Sequence, residues 1–299
     1  MAIGNSGCTP AWDPSFGNAY GYKPSLAGGI VFCVLFGLSM LVHVGQSIYY
    51  RSWWSMVFAV GALTELLGWA ARTWSSECPY NANAFLMQIT TLIIAPTFFT
   101  AGVYVILGRI IQILGRKTSP ISPAMYLWIF CTIDVMSLVI QAVGGGLAAV
   151  AFNSTPQTNT KPGTDTMVAG IDFQLASVII FTAFFAYVIY RATVILHMPV
   201  FKTDKNMRTL VFSTGFVITL VVMRSIYRTI ELAGGWEGYV IQTERFFLAL
   251  DGASMAAAVI TYNIIHPGML LQRIGQSEDQ HIDKLYDGEA AMQTDMPEK

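Results

Sequence analysis

The residues with the most chemical potential are ionisable groups set inside apolar stretches: Glu65, Arg72, Asp134, Arg224, Arg228, Glu231, Glu244 and Asp251, with the amide Gln141 among them. A charged side chain deep in a bilayer costs at least about 2.5 kcal/mol on insertion scales, so each is a candidate for function. Their spacing is regular. Positions seven apart lie within about 20° on one face of a helix. Glu65 and Arg72 are seven apart, as are Asp134 and Gln141, and Glu244 and Asp251. Arg224, Arg228 and Glu231 form one stripe at spacings of four and three. Four helices therefore carry one polar stripe each, and the stripes must face one another because lipid would reject them.

Two kinds of chemistry fit such a cluster. It can be a set of buried ion pairs that hold helices in register, with Arg224 or Arg228 paired to Glu65, Asp134 or Asp251. Interhelical polar contacts in membranes average only about 0.6 kcal/mol, which makes weak glue. It can instead line a polar cavity for a ligand. Five acids against three arginines leave two negative charges uncompensated, or one if Arg245 is included. Perfect pairing would leave none, which favours the cavity.

The elements that must position these groups follow from composition. Of 299 residues, 54% are hydrophobic and 12% charged, against about 25% charged in soluble domains. With 17 Lys+Arg and 18 Asp+Glu there is no basic excess for nucleic acid. Seven stretches approach the roughly 20 apolar residues of a membrane span: about 25–48, 54–75, 84–108, 123–149, 168–192, 209–232 and 241–265. The first lacks a charged segment before it and reads as a helix rather than a cleaved signal.

The expected fold is an all-α seven-helix membrane bundle. Basic residues fix its direction. Arg51, Arg109, Arg116, Lys117, Arg191, Lys202, Lys205, Arg208, Arg273, Lys284 and Lys299 fall on one side, and only Lys23, Lys161 and Arg245 on the other. The N-terminus is thus expected outside and the C-terminus in the cytoplasm. Residues 1–24 read as an extracellular segment, 25–270 as the seven-helix domain and 271–299 as an acidic, disordered cytoplasmic tail. The polar cluster then occupies the middle and outer half of the bundle, with the cytoplasmic half sealed by apolar residues.

Smaller features complete the reading. Cys8 and Cys78 fall outside, where a disulfide can form or two thiols can stay unpaired. Cys33 and Cys131 fall within helices as packing residues. Asn153-Ser154-Thr155 is a glycosylation sequon in the loop after helix 4, close to the membrane. Pro96 should free the Leu92 carbonyl and kink helix 3. Gly144-Gly145-Gly146 and Gly234-Gly235 read as packing or loop features. Trp53, Trp54, Trp69, Trp74, Trp128 and Trp236 read as an aromatic belt. His43, His197, His266 and His281 are scattered and make no metal site by spacing.

Several motifs resemble one family. Glu65-Leu66-Leu67-Gly68-Trp69-Ala70-Ala71-Arg72, Ala95-Pro96 with Ala101 and Tyr104, and Asp134-Val135 with Gln141 and the Gly144 triplet come in order. Arg224-Ser225-Ile226-Tyr227-Arg228 with Glu231 follows, then Glu244 and Asp251. Together they resemble the signatures of the fungal RTA-like, or lipid-translocating exporter, family over about residues 25–270. The resemblance implies a seven-span protein that exports sphingoid long-chain bases or protects against toxic amphiphiles, in the plasma membrane or else the vacuolar or endoplasmic reticulum membrane. Membrane lipids or amphiphilic small molecules would be the partners; no cofactor and no protein partner is indicated.

A sphingoid base carries a cationic amine, for which Asp134, Asp251 or Glu65 would be the counter-ion. Arg72, Arg224 and Arg228 would balance the remaining charge or bind a phosphate. No phosphate-binding G-x-x-x-x-G-K-[ST] loop supplies ATP chemistry. The other class that fits is a seven-helix receptor or lipid sensor without transport. Against it, helix 3 lacks D-R-Y, Asn263 is followed by Ile264, and the last helix has no lysine for retinal. An intramembrane hydrolase would need clustered histidines, so no enzyme is expected.

Overall fold

The computed structural model describes Cys8 and residues 20–154, 158–198, 204–235 and 238–276. Seven helices in it are long and apolar enough to cross a membrane. They are α1 (Leu26–Tyr49), α2 (Met56–Glu77), α3 (Ala82–Leu114), α4 (Pro123–Asn153), α5 (Lys161–Tyr190), α6 (Lys205–Ala233) and α7, which runs from Glu244 to Ile264. α5 continues into a π turn, Arg191–Ile195. A second π turn, Phe247–Gly252, lies inside α7. A short helix α8, 267–276, follows a break at Ile265 and His266.

Local sequence sets several helix starts. Ser25 Oγ accepts the Gly28 N–H, Asn81 Oδ1 accepts those of Asn83 and Ala84, and Asp204 Oδ1 accepts that of Asn206. Ser122 caps α4 with Pro123 in its first turn. Two helices outrun their apolar stretches. α3 ends at Leu114 rather than near 108, because the stem of Arg109 can lie along the helix while its head reaches water. α5 begins at Lys161 rather than near 168, because Pro162 starts a helix well and the polar residues of its first turns sit at the bundle's end. The sequon also moves: Asn153 is the last residue of α4 and not in a free loop, and Thr155 lies outside the described residues.

The helices share a main apolar core built from Phe36, Phe58, Phe99, Ile106, Leu107, Phe181, Val217 and Val259, and Met167, Ile171 and Leu232 form a smaller cluster between α5 and α6. Toward the outside, α4 presents Val135, Val139, Val143, Leu147 and Val150, all more than half exposed. Spaced three or four apart, they form the stripe a lipid-facing helix needs. The other face of α4 meets α5 at very close range. A Cβ on Gly144 would come within 2.3 Å of the Met167 backbone N, and one on Gly163 equally close to the backbone N of Ala148. The Gly144 triplet is therefore a helix-crossing point, as small-residue motifs in membranes often are.

The two ends of the bundle differ. At one end Cys8 is joined to Cys78, which caps α2, with the Cα atoms 4.8 Å apart. The opposite end is not sealed by apolar side chains alone, contrary to the expectation from hydropathy. Ser55 Oγ lies 2.8 Å from both Ser47 Oγ and Ser52 Oγ, and His43 Nε2 donates to the Val259 carbonyl at 3.3 Å. The Trp belt also needs correction. Trp53, Trp74 and Trp128 are exposed, whereas Trp69 is fully buried in the core. Trp236 lies outside the described residues.

Replacing Gly144 with Val should destabilise the protein, because backbone on the facing helix cannot move aside. Overpacking of this kind costs about 1–3 kcal/mol. Gly146→Val, where nothing lies within 4 Å, should leave the thermal midpoint of the detergent-purified protein almost unchanged. Comparing the two unfolding curves checks the helix crossing directly.

Candidate functional site

The site is built around Pro96, which α3 carries inside a continuous helix, with no break where the sequence predicts a kink. Pro96 has no N–H, so the Leu92 carbonyl one turn earlier lacks its helical partner. In a lipid-surrounded bundle such an orphan must be satisfied from elsewhere. Arg224 of α6 does so: its Nη2 donates to Leu92 O at 2.6 Å. The same guanidinium places Nε 2.9 Å from Asp251 Oδ1 on α7. Asp251 is wholly buried and sits in the π turn Phe247–Gly252. π turns of this kind are frequent at functional sites. Neither Asp251 oxygen has a well-aligned hydrogen bond, so charge rather than geometry holds the pair.

Two further ion pairs lie toward the disulfide end. Arg228 Nη1 donates to Glu231 Oε2 at 2.6 Å, and Tyr227 Oη donates to Glu231 Oε1 at 2.9 Å. Arg72 Nη2 donates to Glu244 Oε1 at 2.7 Å. Glu244, one-fifth exposed, stands nearest the surface. Three arginines thus take three of the five acids. The two that remain are Glu65 and Asp134.

Glu65 is fully buried and accepts one hydrogen bond, from Trp69 Nε1 at 3.3 Å; its Oε1 has none. It feels the charges of Arg224, Asp251 and Arg228. Asp134 Oδ2 lies 2.8 Å from Thr100 Oγ1 and 3.0 Å from Tyr104 Oη, and its Oδ1 has no partner. The predicted residues fall into four places. Glu65, Arg224, Arg228, Glu231 and Asp251 lie together, and Arg72 and Glu244 form a pair nearer the disulfide end. Gln141 donates to Gln174 at 3.1 Å and faces Arg224 and Arg228 across a small cavity. Asp134 stands behind Thr100 and lines neither of two cavities beside Arg228.

Those cavities decide what the conformation can hold. One, of about 20 Å³, is lined by Pro96, Thr100, Gln141, Gln174, Arg224 and Arg228 among others. The second, of about 30 Å³, lies under Tyr20 and Tyr22 beside Arg72, Arg228 and Glu231. A single water needs about 10–15 Å³ measured this way. These two cavities therefore have room for one to three waters each, far less than an amphiphile fills.

Two arrangements were not read from the sequence, one in the site and one at the other end of the bundle. Tyr20 and Tyr22 surround the Arg72 guanidinium, with ring centroids 5.5 and 5.6 Å away, and Phe247 lies at 4.5 Å on α7. Burial pushes the Tyr20 hydroxyl up to about 12 and raises that of Tyr22. The usable signal was topological: a Cys8–Cys78 bridge draws the chain before α1 across the ends of α2 and α3. The second is the pair His43 and His266, with ring centroids 6.4 Å apart at the opposite end. Their separation of 223 positions hid it. Among the described residues no three His, Cys, Asp or Glu side chains gather as metal ligands.

The Pro96–Arg224 link predicts coupling. Arg224→Ala strands both the Leu92 carbonyl and Asp251, and breaking a buried pair costs about 3–5 kcal/mol. Pro96→Ala restores an N–H for Leu92 and should reduce that loss by about 1 kcal/mol. A double-mutant cycle in detergent reads the coupling; strict additivity would contradict the link.

Comparison with known proteins places this geometry. The family described as "RTA1 like protein" matches residues 58–274. The sphingoid long-chain base transporter RSB1 of Saccharomyces cerevisiae is 32% identical, over 83% of this chain and 73% of its own. Protoporphyrin uptake protein 1 of the same organism is 26% identical over 82% of this chain and 90% of its own. Protein RTA1, also from that yeast, is 26% identical over 87% of this chain and 88% of its own. No solved structure matches. The chain is an integral membrane protein and belongs to the RTA1-like family.

Proposed function

We propose that this protein binds a long-chain cationic amphiphile, of the sphingoid-base class, and moves it between membrane leaflets. The observation that carries the reading is the pair of buried carboxyl groups, Glu65 and Asp134, that no arginine bridges once Arg72, Arg224 and Arg228 have taken their partners. An ammonium head group would supply the missing positive charge, and the alkyl chain would lie among the apolar helices. The name of the relative RSB1 agrees with that substrate class. The set of relatives also includes one named for protoporphyrin uptake, so the common element is an amphiphile rather than one head group.

In this reading the disulfide end faces outward and the basic end faces the cytoplasm, following the distribution of Arg and Lys. Residues 1–24 lie outside, 25–270 form the transport domain and 271–299 form the cytoplasmic tail. The plasma membrane is the expected site. Asp251, Arg224 and Arg228 hold the closed state, and Gln141, Glu231, Arg72 and Glu244 line the way out. The protein performs no covalent chemistry. Movement is passive or coupled to protons carried by the acids, and the closed conformation is one of at least two.

The test uses purified protein in liposomes with a fluorescent sphingoid base. Wild type should accelerate leaflet exchange, and Glu65→Gln or Asp134→Asn should lower the rate at least tenfold. Because each substitution replaces a buried carboxyl group that no arginine bridges with an amide of the same shape, thermal stability should hold or rise. Loss of stability with unchanged exchange would make the acids structural. Binding without exchange, in wild type, would favour a receptor or sensor.

A further inference from the structure

We infer that the segment from Tyr20 to Ser25 is a plug, tethered by the Cys8–Cys78 disulfide, that closes the Arg228–Glu231 end of the polar core and must withdraw before an amphiphile's head group reaches it. The inference rests on the transport reading only for what passes; the plug itself is read from contacts.

The segment inserts side chains where a ligand would pass. Tyr20 is nearly buried; its hydroxyl donates to Gln88 Oε1 at 2.8 Å and lies 2.9 Å from Ser75 Oγ, with its ring edge-on to Phe85 at 5.1 Å. Tyr22 Oη accepts from Arg72 Nη2 at 2.8 Å. The Ser25 N–H donates to Glu244 Oε1 at 2.8 Å, the oxygen that also takes Arg72. The segment thus touches α2, α3 and α7 at once. Directly beneath the two rings lies the 30 Å³ cavity that reaches Arg228 and Glu231.

The attachment is of a kind that can be released. The contacts to α2, α3 and α7 given above are made by side chains or to side chains, and residues 20–25 belong to no helix. Gly21 turns the chain inward at φ +72°, and a Cβ there would come within 2.8 Å of Gln242 Cγ. Two fixed points flank it along the chain: α1 begins at Leu26, and Cys8, twelve positions before Tyr20, is bonded to the cap of α2. A segment tied at both ends stays at high effective concentration over its seat. Cutting the disulfide leaves one anchor and lets the plug leave more often. Burial pushes the Tyr20 hydroxyl up to about 12, so it stays protonated and able to donate to Gln88 at physiological pH.

The test measures access rather than transport, so its failure is separate from failure of the transport reading. Leu232, buried against the cavity, is replaced by Cys in a full-length chain with Cys33→Ala and Cys131→Ala. The probe is 2-aminoethyl methanethiosulfonate: the thiolate attacks its thiosulfonate sulfur, a mixed disulfide forms and methanesulfinate leaves. Labelling is followed by mass spectrometry with Cys8 and Cys78 intact, or both changed to Ser. A parallel chain carries Ser55→Cys, buried at the opposite end, and reports general loosening. The plug predicts at least a tenfold faster reaction at position 232 once the tether is gone, and none at position 55. Gly21→Ala, with the disulfide intact, should also accelerate labelling at position 232. Equal rates with and without the tether, or parallel rises at both positions, would overturn the inference.

Discussion

The structure depends on one carbonyl. Pro96 leaves Leu92 O without its helical hydrogen, and in an apolar bundle that oxygen must find another. Arg224 supplies it and uses the same guanidinium to hold Asp251. One side chain therefore ties the free carbonyl of α3 to the π turn in α7, through α6. A carbonyl freed by proline, an irregular turn and a charge from a third helix form a single unit. Removing Arg224 leaves two buried polar groups without their partner, which couples the three elements.

Around that unit the charges are arranged with an imbalance. Three arginines satisfy Asp251, Glu231 and Glu244, and two acids are left with hydrogen-bond donors but no cation. The two cavities next to Arg228 are water-sized, and neither Glu65 nor Asp134 lines them. The imbalance of charge is what the proposed cationic amphiphile would complete.

Much of this was legible in the sequence. Apolar length gave seven helices, because a bilayer fixes how much hydrophobic chain a span needs. Seven-residue spacing brought Glu65, Arg224 and Asp251 onto inward faces, and counting charges gave the same excess of two that the geometry leaves. Pro96 announced the free carbonyl. Pairing was harder: Arg228 turned to Glu231 on its own helix rather than to Glu65 or Asp134, because an i,i+3 partner is always within reach. Trp69 read as an interfacial residue but caps Glu65 instead. Tyr20, Tyr22 and the His43–His266 pair depend on contacts between distant parts of the chain, which no local pattern encodes.

The central claim is that buried acid, unmatched by arginine, recognises a positive head group. Equilibrium binding to the purified protein tests it most directly, using a long-chain amine and its N-acetylated, uncharged counterpart. The account predicts that the amine binds at least tenfold more tightly, about 1.4 kcal/mol, and that the preference disappears in the Glu65→Gln, Asp134→Asn double variant. Equal binding of the two lipids to wild type, or an undiminished preference in the variant, would contradict it.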